Sequence, residues 1–193
     1  MDGIRKMNFE FIECFSKDKI KIEGLYEVHC RIFKDKRGFF LEGYNRKQFF
    51  DAGLTMDFVQ DNISYSKKKV LRGMHFQKKH QQGKLITVLS GKIFDAVVDL
   101  RKDSKTFGKS YSLVLDSKKR NELYVPEGFA HGFYVLSRNA QILYKCSDFY
   151  HPEEESGYLW NSRSFDIDWK LQIHSNKPII NERDLSFEEF ILE

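Results

Sequence analysis

The chain has 193 residues, 41% of them hydrophobic and 15% aromatic, and Lys+Arg 32 against Asp+Glu 28 leaves a net charge of +4. That length suits one well-buried core and is short for two. A basic excess so mild, with no concentrated stripe, argues against a nucleic-acid binder, and no apolar run nears the ~18–20 residues that cross a bilayer.

Eighteen Phe and nine Tyr favour pleated, half-buried surfaces, so the chain reads as β-rich. A first strand is predicted over Gly24–Phe33, ending in the charged turn Lys34-Asp35-Lys36-Arg37-Gly38. A short helix follows over Arg46–Ala52, with Gly53 as its stop. Strands are predicted at Phe58–Tyr65, Val70–Gln77 and Lys84–Leu89. The clearest is Ile93–Leu100, where Phe94, Ala96, Val98 and Leu100 alternate with Ile93, Asp95, Val97 and Asp99. Tyr111–Leu115, Glu122–Val125, Gly132–Leu136 and Gln141–Cys146 complete the set. Ser186 with Glu189 resembles a capping box and predicts a helix over Ser186–Leu192. The expected fold is all-β: a single jelly-roll sandwich or barrel over residues 1–193, its core from about 24 to 184, with short peripheral helices.

Cys14, Cys30 and Cys146 share no CxxC spacing, so neither a disulfide framework nor a zinc knuckle is expected. With no apolar leader at the N-terminus, a cytoplasmic location is expected. Among six histidines, His29, His80, His151 and His174 have plain surroundings and are assigned to surface or packing. His75 and His131 lie in segments rich in Gly and aromatics, Leu71–Gln77 and Pro126–Phe133, and glycine inside a strand marks a bulge or the close approach of a ligand. Arg72 and His75 are three apart and face opposite sides of a regular strand. Both reach one cavity only if Gly73 disturbs the pleat. A centre of three histidines and a carboxylate is not expected, because Gln77 and Phe133 stand two beyond these histidines where second ligands would be. GxSxG, GxGxxG and GxxxxGK[ST] are absent. Proton chemistry by Tyr, Lys and His remains.

At this point the motifs resemble a known family. Val70-Leu71-Arg72-Gly73-Met74-His75-Phe76-Gln77, Gln82-Gly83-Lys84-Leu85, Gly91–Arg101, Thr106-Phe107-Gly108-Lys109, Val125–Phe133, Leu143–Tyr150, Asp166-Ile167-Asp168-Trp169 and Asn181-Glu182-Arg183-Asp184 run in the order found in dTDP-4-dehydrorhamnose 3,5-epimerases. The resemblance implies a cupin-like jelly roll, a homodimer in which an N-terminal strand crosses to the partner, and no metal or coenzyme. It implies a dTDP-linked 4-keto-6-deoxyhexose as substrate, inverted at C3 and C5 on the way to rhamnose. By the same resemblance, His75 matches the general base, Asp184 its orienting carboxylate, Tyr144 the general acid, and Lys84 the lysine near O4. His131 lines the pocket, and Arg72 and Arg37 match diphosphate contacts. Gln60 and Asn62 match nucleotide and phosphate ligands, while Phe40, Glu42 and Tyr150 match residues that hold the base and deoxyribose.

The chemistry suits the set. A 4-keto group acidifies the C3 and C5 hydrogens by enolate formation, an imidazole with pKa of about 6.5 can remove them, and a cation at O4 holds the charge. Plainer roles stand beside these: a solvated turn for Lys84, a salt bridge for Asp184, a hydroxyl bonded to a core carbonyl for Tyr144, a loop cation for Arg37, and core filling for Phe40 and Tyr150. Met74, Lys170 and the charged segment before Gly24 depart from the family pattern. They leave room for inversion at one carbon only, for a GDP-linked sugar, or for a cupin-like binding module without catalysis.

Overall fold

The computed structural model describes residues 7–171 and 177–192; His174 and the two ends of the expected domain lie outside these. In chain order come β1 (Phe9–Phe15), β2 (Lys21–Cys30), β3 (Phe33–Asp35), β4 (Gly38–Phe40), α1 (Arg46–Asp51), β5 (Gln60–Lys67), β6 (Leu71–Gln77), β7 (Lys84–Ser90), β8 (Lys92–Asp99), β9 (Ser110–Asp116), β10 (Asn121–Val125), β11 (Phe129–Val135), β12 (Asn139–Cys146), β13 (Glu155–Gly157) and α2 (Glu182–Leu185). Two antiparallel sheets, in the orders β1-β2-β10-β7-β12-β5 and β13-β6-β11-β8-β9, carry the architecture, and β3 and β4 form a hairpin of their own. The all-β, jelly-roll expectation holds.

Alternation in β8 explains how the layers are held. Ile93 and Val97 point between the sheets, among Ile86, Val88, Leu123, Val125, Phe133 and Ile142. Phe94, Ala96 and Val98 point the other way and pack against Phe165, Trp169 and Phe190 of the C-terminal segment. Both parities are therefore buried, and the period of two separates two cores instead of core from solvent. On the far side of the first sheet, α1 buries Phe49 against Phe9, Val28, Leu85 and Tyr124, a contribution of about 1.5–3 kcal/mol. Asn45 caps that helix by accepting the Gln48 N–H at 3.2 Å. Gly53, at φ +82°, takes the left-handed position just past its end.

Two sequence expectations are corrected. The core begins well before residue 24, because β1 pairs with β2 from Phe9↔Cys30 onward. A register irregularity between Glu13 and Phe15 breaks the period that would have announced this strand. The C-terminal helix is α2, Glu182–Leu185, and not Ser186–Leu192. Asn181 is its N-cap, accepting the Asp184 N–H at 2.7 Å, and Ser186 ends it. Glu189 accepts from the Arg163 N–H instead, so no capping box closes.

Candidate active site

The inner face of the second sheet is set by a bulge. On β11, His131 and Phe133 are two residues apart, yet their partners on β6, His75 and Arg72, are three apart. The extra residue reverses the parity of β6, so Arg72 and His75 share the face that looks between the sheets. Gly73 is required for this: its φ is +122°, and a Cβ there would lie 2.5 Å from Gly132 Cα and 2.8 Å from the His131 carbonyl oxygen. Only glycine fits such a conformation and such an approach.

Behind His75 sits Asp184, which is fully buried. Its Oδ1 lies 2.9 Å from His75 Nε2, and its Oδ2 accepts the Gly73 N–H at 3.1 Å. Burial pushes this carboxyl up, but the bond and charge of His75, the Gly73 N–H and the Arg183 guanidinium together hold it below the usual range. An ionised carboxylate can only accept, so Nε2 carries the proton and Nδ1 keeps the lone pair. Phe187 meets the imidazole edge-on, with ring centroids 5.8 Å apart.

A second histidine–carboxylate pair lies alongside. His131 Nε2 is 2.8 Å from Asp95 Oδ2; Asp95 is fully buried, and its Oδ1 has no hydrogen-bond partner among the described residues. Burial raises the Asp95 carboxyl, and the His131 and Lys84 charges oppose that rise.

Residues of the first sheet face this pair. Asn62, Tyr144 and Ile86 lie opposite one another across β5, β12 and β7, and so do Gln60, Cys146 and Lys84. The Tyr144 ring meets that of His131 at 6.1 Å and 72°, so His131 bridges the space from His75 to Tyr144. Burial pushes the Tyr144 phenol well above its usual value, with the Ser64 hydroxyl and Arg72 opposing and Asp95 reinforcing. Ser64 Oγ is 3.2 Å from the phenol oxygen. Lys84 is the first residue of β7 and not part of a solvated turn. Burial pulls its ammonium down, against Cys146, Glu155 and Asp95. A recess of about 210 Å³ opens beside Lys84, lined also by Gln77, Gln82, Phe129 and Tyr158; His75 and Tyr144 stand outside its lining.

The predicted binding residues divide into two groups. Arg72 stays with the site, its Nε donating to Ser66 Oγ at 3.1 Å. Gln60 accepts the Tyr150 N–H at 3.0 Å and donates to Asn62 at 2.9 Å. The Tyr150 hydroxyl donates to Glu155, which also pairs with Arg183 at 2.6 Å. Arg37 and Phe40, in contrast, are exposed on the β3–β4 hairpin, where Arg37 pairs with Asp35. Glu42 accepts from Asn8 at 2.8 Å and Gln48 at 3.1 Å beside α1. Within one chain these three are not brought to His75. Asp95, Ser64 and Glu155 were not singled out from sequence. The only available signal was the Asp in the apolar run of β8.

The family model described as dTDP-4-dehydrorhamnose 3,5-epimerase matches residues 19–191. A dTDP-4-dehydrorhamnose 3,5-epimerase from Shigella flexneri is 44% identical over 175 residues, covering 90% of this chain and 94% of the relative. A crystal structure of dTDP-6-deoxy-D-glucose-3,5-epimerase from Legionella pneumophila, in complex with dTDP-4-keto-L-rhamnose, superposes with a TM-score of 0.86 at 38% identity, covering 94% of this chain and 92% of that one. A 3'-monoepimerase from Streptomyces bikiniensis, in complex with dTDP-quinovose, gives a TM-score of 0.80 at 28% identity, covering 87% and 84%.

Proposed function

The chain belongs to the dTDP-4-dehydrorhamnose 3,5-epimerase family, and we infer that it inverts C3 and C5 of a dTDP-linked 4-keto-6-deoxyhexose with His75 as base and Tyr144 as acid. The observation that supports these roles most is the His75–Asp184 pair, with Nε2 tied to a carboxylate held in its ionised form. The lone pair at Nδ1 is then free to take a proton from carbon, and Asp184 stabilises the imidazolium that results. The enolate places negative charge on O4. Lys84, drawn in between the sheets, is the cation suited to meet it, and one such contact in a dry site is worth about 3–4 kcal/mol. Tyr144 approaches from the opposite sheet. Its raised pKa keeps the phenol protonated at neutral pH, as a group that must return a proton to the other ring face requires. Arg72 suits the diphosphate because a guanidinium pairs bidentately with phosphate oxygens.

Arg37 and Phe40 reach a substrate only if their hairpin projects into another copy, so the reading includes a homodimer with sites completed across the two-fold. Phe33, Phe39 and Phe40 on this hairpin are all exposed, which suits such a crossing. Among the described residues no helix is long and apolar enough to cross a membrane. Cys14, Cys30 and Cys146 are free and buried, in keeping with a reducing cytoplasm.

Incubation with dTDP-4-keto-6-deoxyglucose in D₂O, followed by NMR, tests the assignment. Deuterium enters at both C3 and C5 if the reading holds. Label at one carbon alone makes the enzyme a mono-epimerase, and label at neither refutes the activity.

A further inference from the structure

His80 and His151 are 71 positions apart in the chain, and with Asp148 they form the one group of potential metal-ligand side chains found among the described residues. One ligand atom from each lies within 4.8 Å of the others, and His80 Nδ1 is 3.4 Å from Asp148 Oδ2. Two ligands of a tetrahedral zinc ion, each about 2.0–2.1 Å from the metal, stand about 3.4 Å apart. One edge of the tetrahedron is thus already in place, and rotation of the exposed His80 side chain can close the rest.

The backbones that carry these groups are pinned from beneath. Gln77, buried at the end of β6, donates to the His80 carbonyl at 2.5 Å and to the Phe149 carbonyl at 3.4 Å, and accepts the His151 N–H at 2.8 Å. Gln82 donates to the Asp148 carbonyl at 2.8 Å. Two glutamine amides therefore fix the main chain of all three candidate ligands. A carboxylate also stands behind one imidazole, since Glu153 Oε1 is 3.4 Å from His151 Nδ1. That leaves Nε2 to ligate, the outer-shell arrangement usual for metal-bound histidine.

The two imidazoles stack with centroids 4.2 Å apart and planes 21° from parallel. That stacking holds the two rings side by side next to Asp148, and a single cation bound by both rings and the carboxylate uses all three groups at once.

We propose that His80, Asp148 and His151 bind a divalent transition-metal ion of the zinc class, clipping the β6–β7 loop to the segment after β12. Imidazole donors favour Zn²⁺, Co²⁺ or Ni²⁺ over Mg²⁺ and Ca²⁺, which take oxygen ligands. The site is structural and takes no part in proton transfer at His75. It braces the loop leading to Lys84 against the segment that carries Tyr150, and it stands whether or not the epimerase assignment does.

Titration of the full chain with Co²⁺, read by its visible absorption and then by Zn²⁺ displacement, tests this. One ion per chain is expected, with no displacement by Mg²⁺ and loss of binding in acid as the ligands protonate. His80→Gln and His151→Gln should each weaken binding by about 10–100-fold or more, while melting in EDTA like the native protein. Absence of saturable binding at millimolar Co²⁺ would overturn the site, as would binding that survives the double substitution.

Discussion

Asp184→Asn preserves the shape of the buried side chain and removes its charge. In the native fold Asp184 accepts the Gly73 N–H at 3.1 Å and the His75 Nε2–H at 2.9 Å. An asparagine can still accept from Gly73 through its oxygen, but its amide NH₂ then faces Nε2 and must donate. The imidazole proton is driven to Nδ1, the nitrogen that has to be bare to act as base. Loss of general-base action costs about 10²–10⁴-fold in rate, so kcat should fall by that factor with a much smaller change in KM. The assay is deuterium entry at C3 and C5, alongside thermal melting. The fold itself should lose only about 1–3 kcal/mol from an imperfectly paired amide. The acid limb gives an independent check. Because the Asp184 carboxyl is held below its ordinary range, its stabilisation is fully present above the unfolded pKa of about 3.9 and vanishes as pH falls through the folded value. Native and variant stabilities should therefore converge in strong acid. A folded Asp184→Asn protein that exchanges at the native rate would refute the dyad.

Tyr144→Phe should slow inversion more than proton washout, because the base still works while the returning proton is missing; equal loss in the NMR time course would count against the acid role. Gly73→Ala places a methyl 2.5 Å from Gly132 Cα at φ +122°, and should cost more than about 4 kcal/mol in urea unfolding; a near-native midpoint would show the bulge to be dispensable. Glu122 is fully buried and pushed up to about 8 by burial, against hydrogen bonds from Thr87 and Cys30. The unfolded chain ionises it from about 4.5 while the fold keeps it neutral, so its contribution declines as pH rises from about 4.5 to 8, with a limiting slope of roughly 1.4 kcal/mol per pH unit. Glu122→Gln should flatten that decline, and an unchanged slope would refute the assignment.

Local pattern made the strands legible, because alternation and turn residues act over a few positions. Residue pairs were less legible. His131 stood out in its Gly-rich segment, but Asp95 looked like one more alternating residue. The register that sets Asp95 across from Phe133, within reach of the imidazole of His131, is a property of two strands at once. His80, Asp148 and His151 were unremarkable singly, since nothing local reveals that Gln77 gathers their loops. Arg37 and Phe40 depend on a second chain in the proposed reading, and Glu42 is held beside α1 by Asn8 and Gln48.

Gly73 is where local and long-range information meet. A glycine between Arg72 and His75 left two outcomes open, opposite faces or a broken pleat, and only the approach of Gly132 decides between them. A Cβ on Gly132 would in turn lie 2.7 Å from Met74 Sδ and 2.8 Å from the Arg72 carbonyl oxygen. The two glycines thus require each other. Their contact puts the extra residue into β6, that residue turns Arg72 toward the side of His75, and the same Gly73 N–H anchors the carboxylate that orients the imidazole. Placement of the proposed phosphate-binding cation and alignment of the proposed base are consequences of one backbone contact, so a side chain at either glycine should impair binding and proton transfer together.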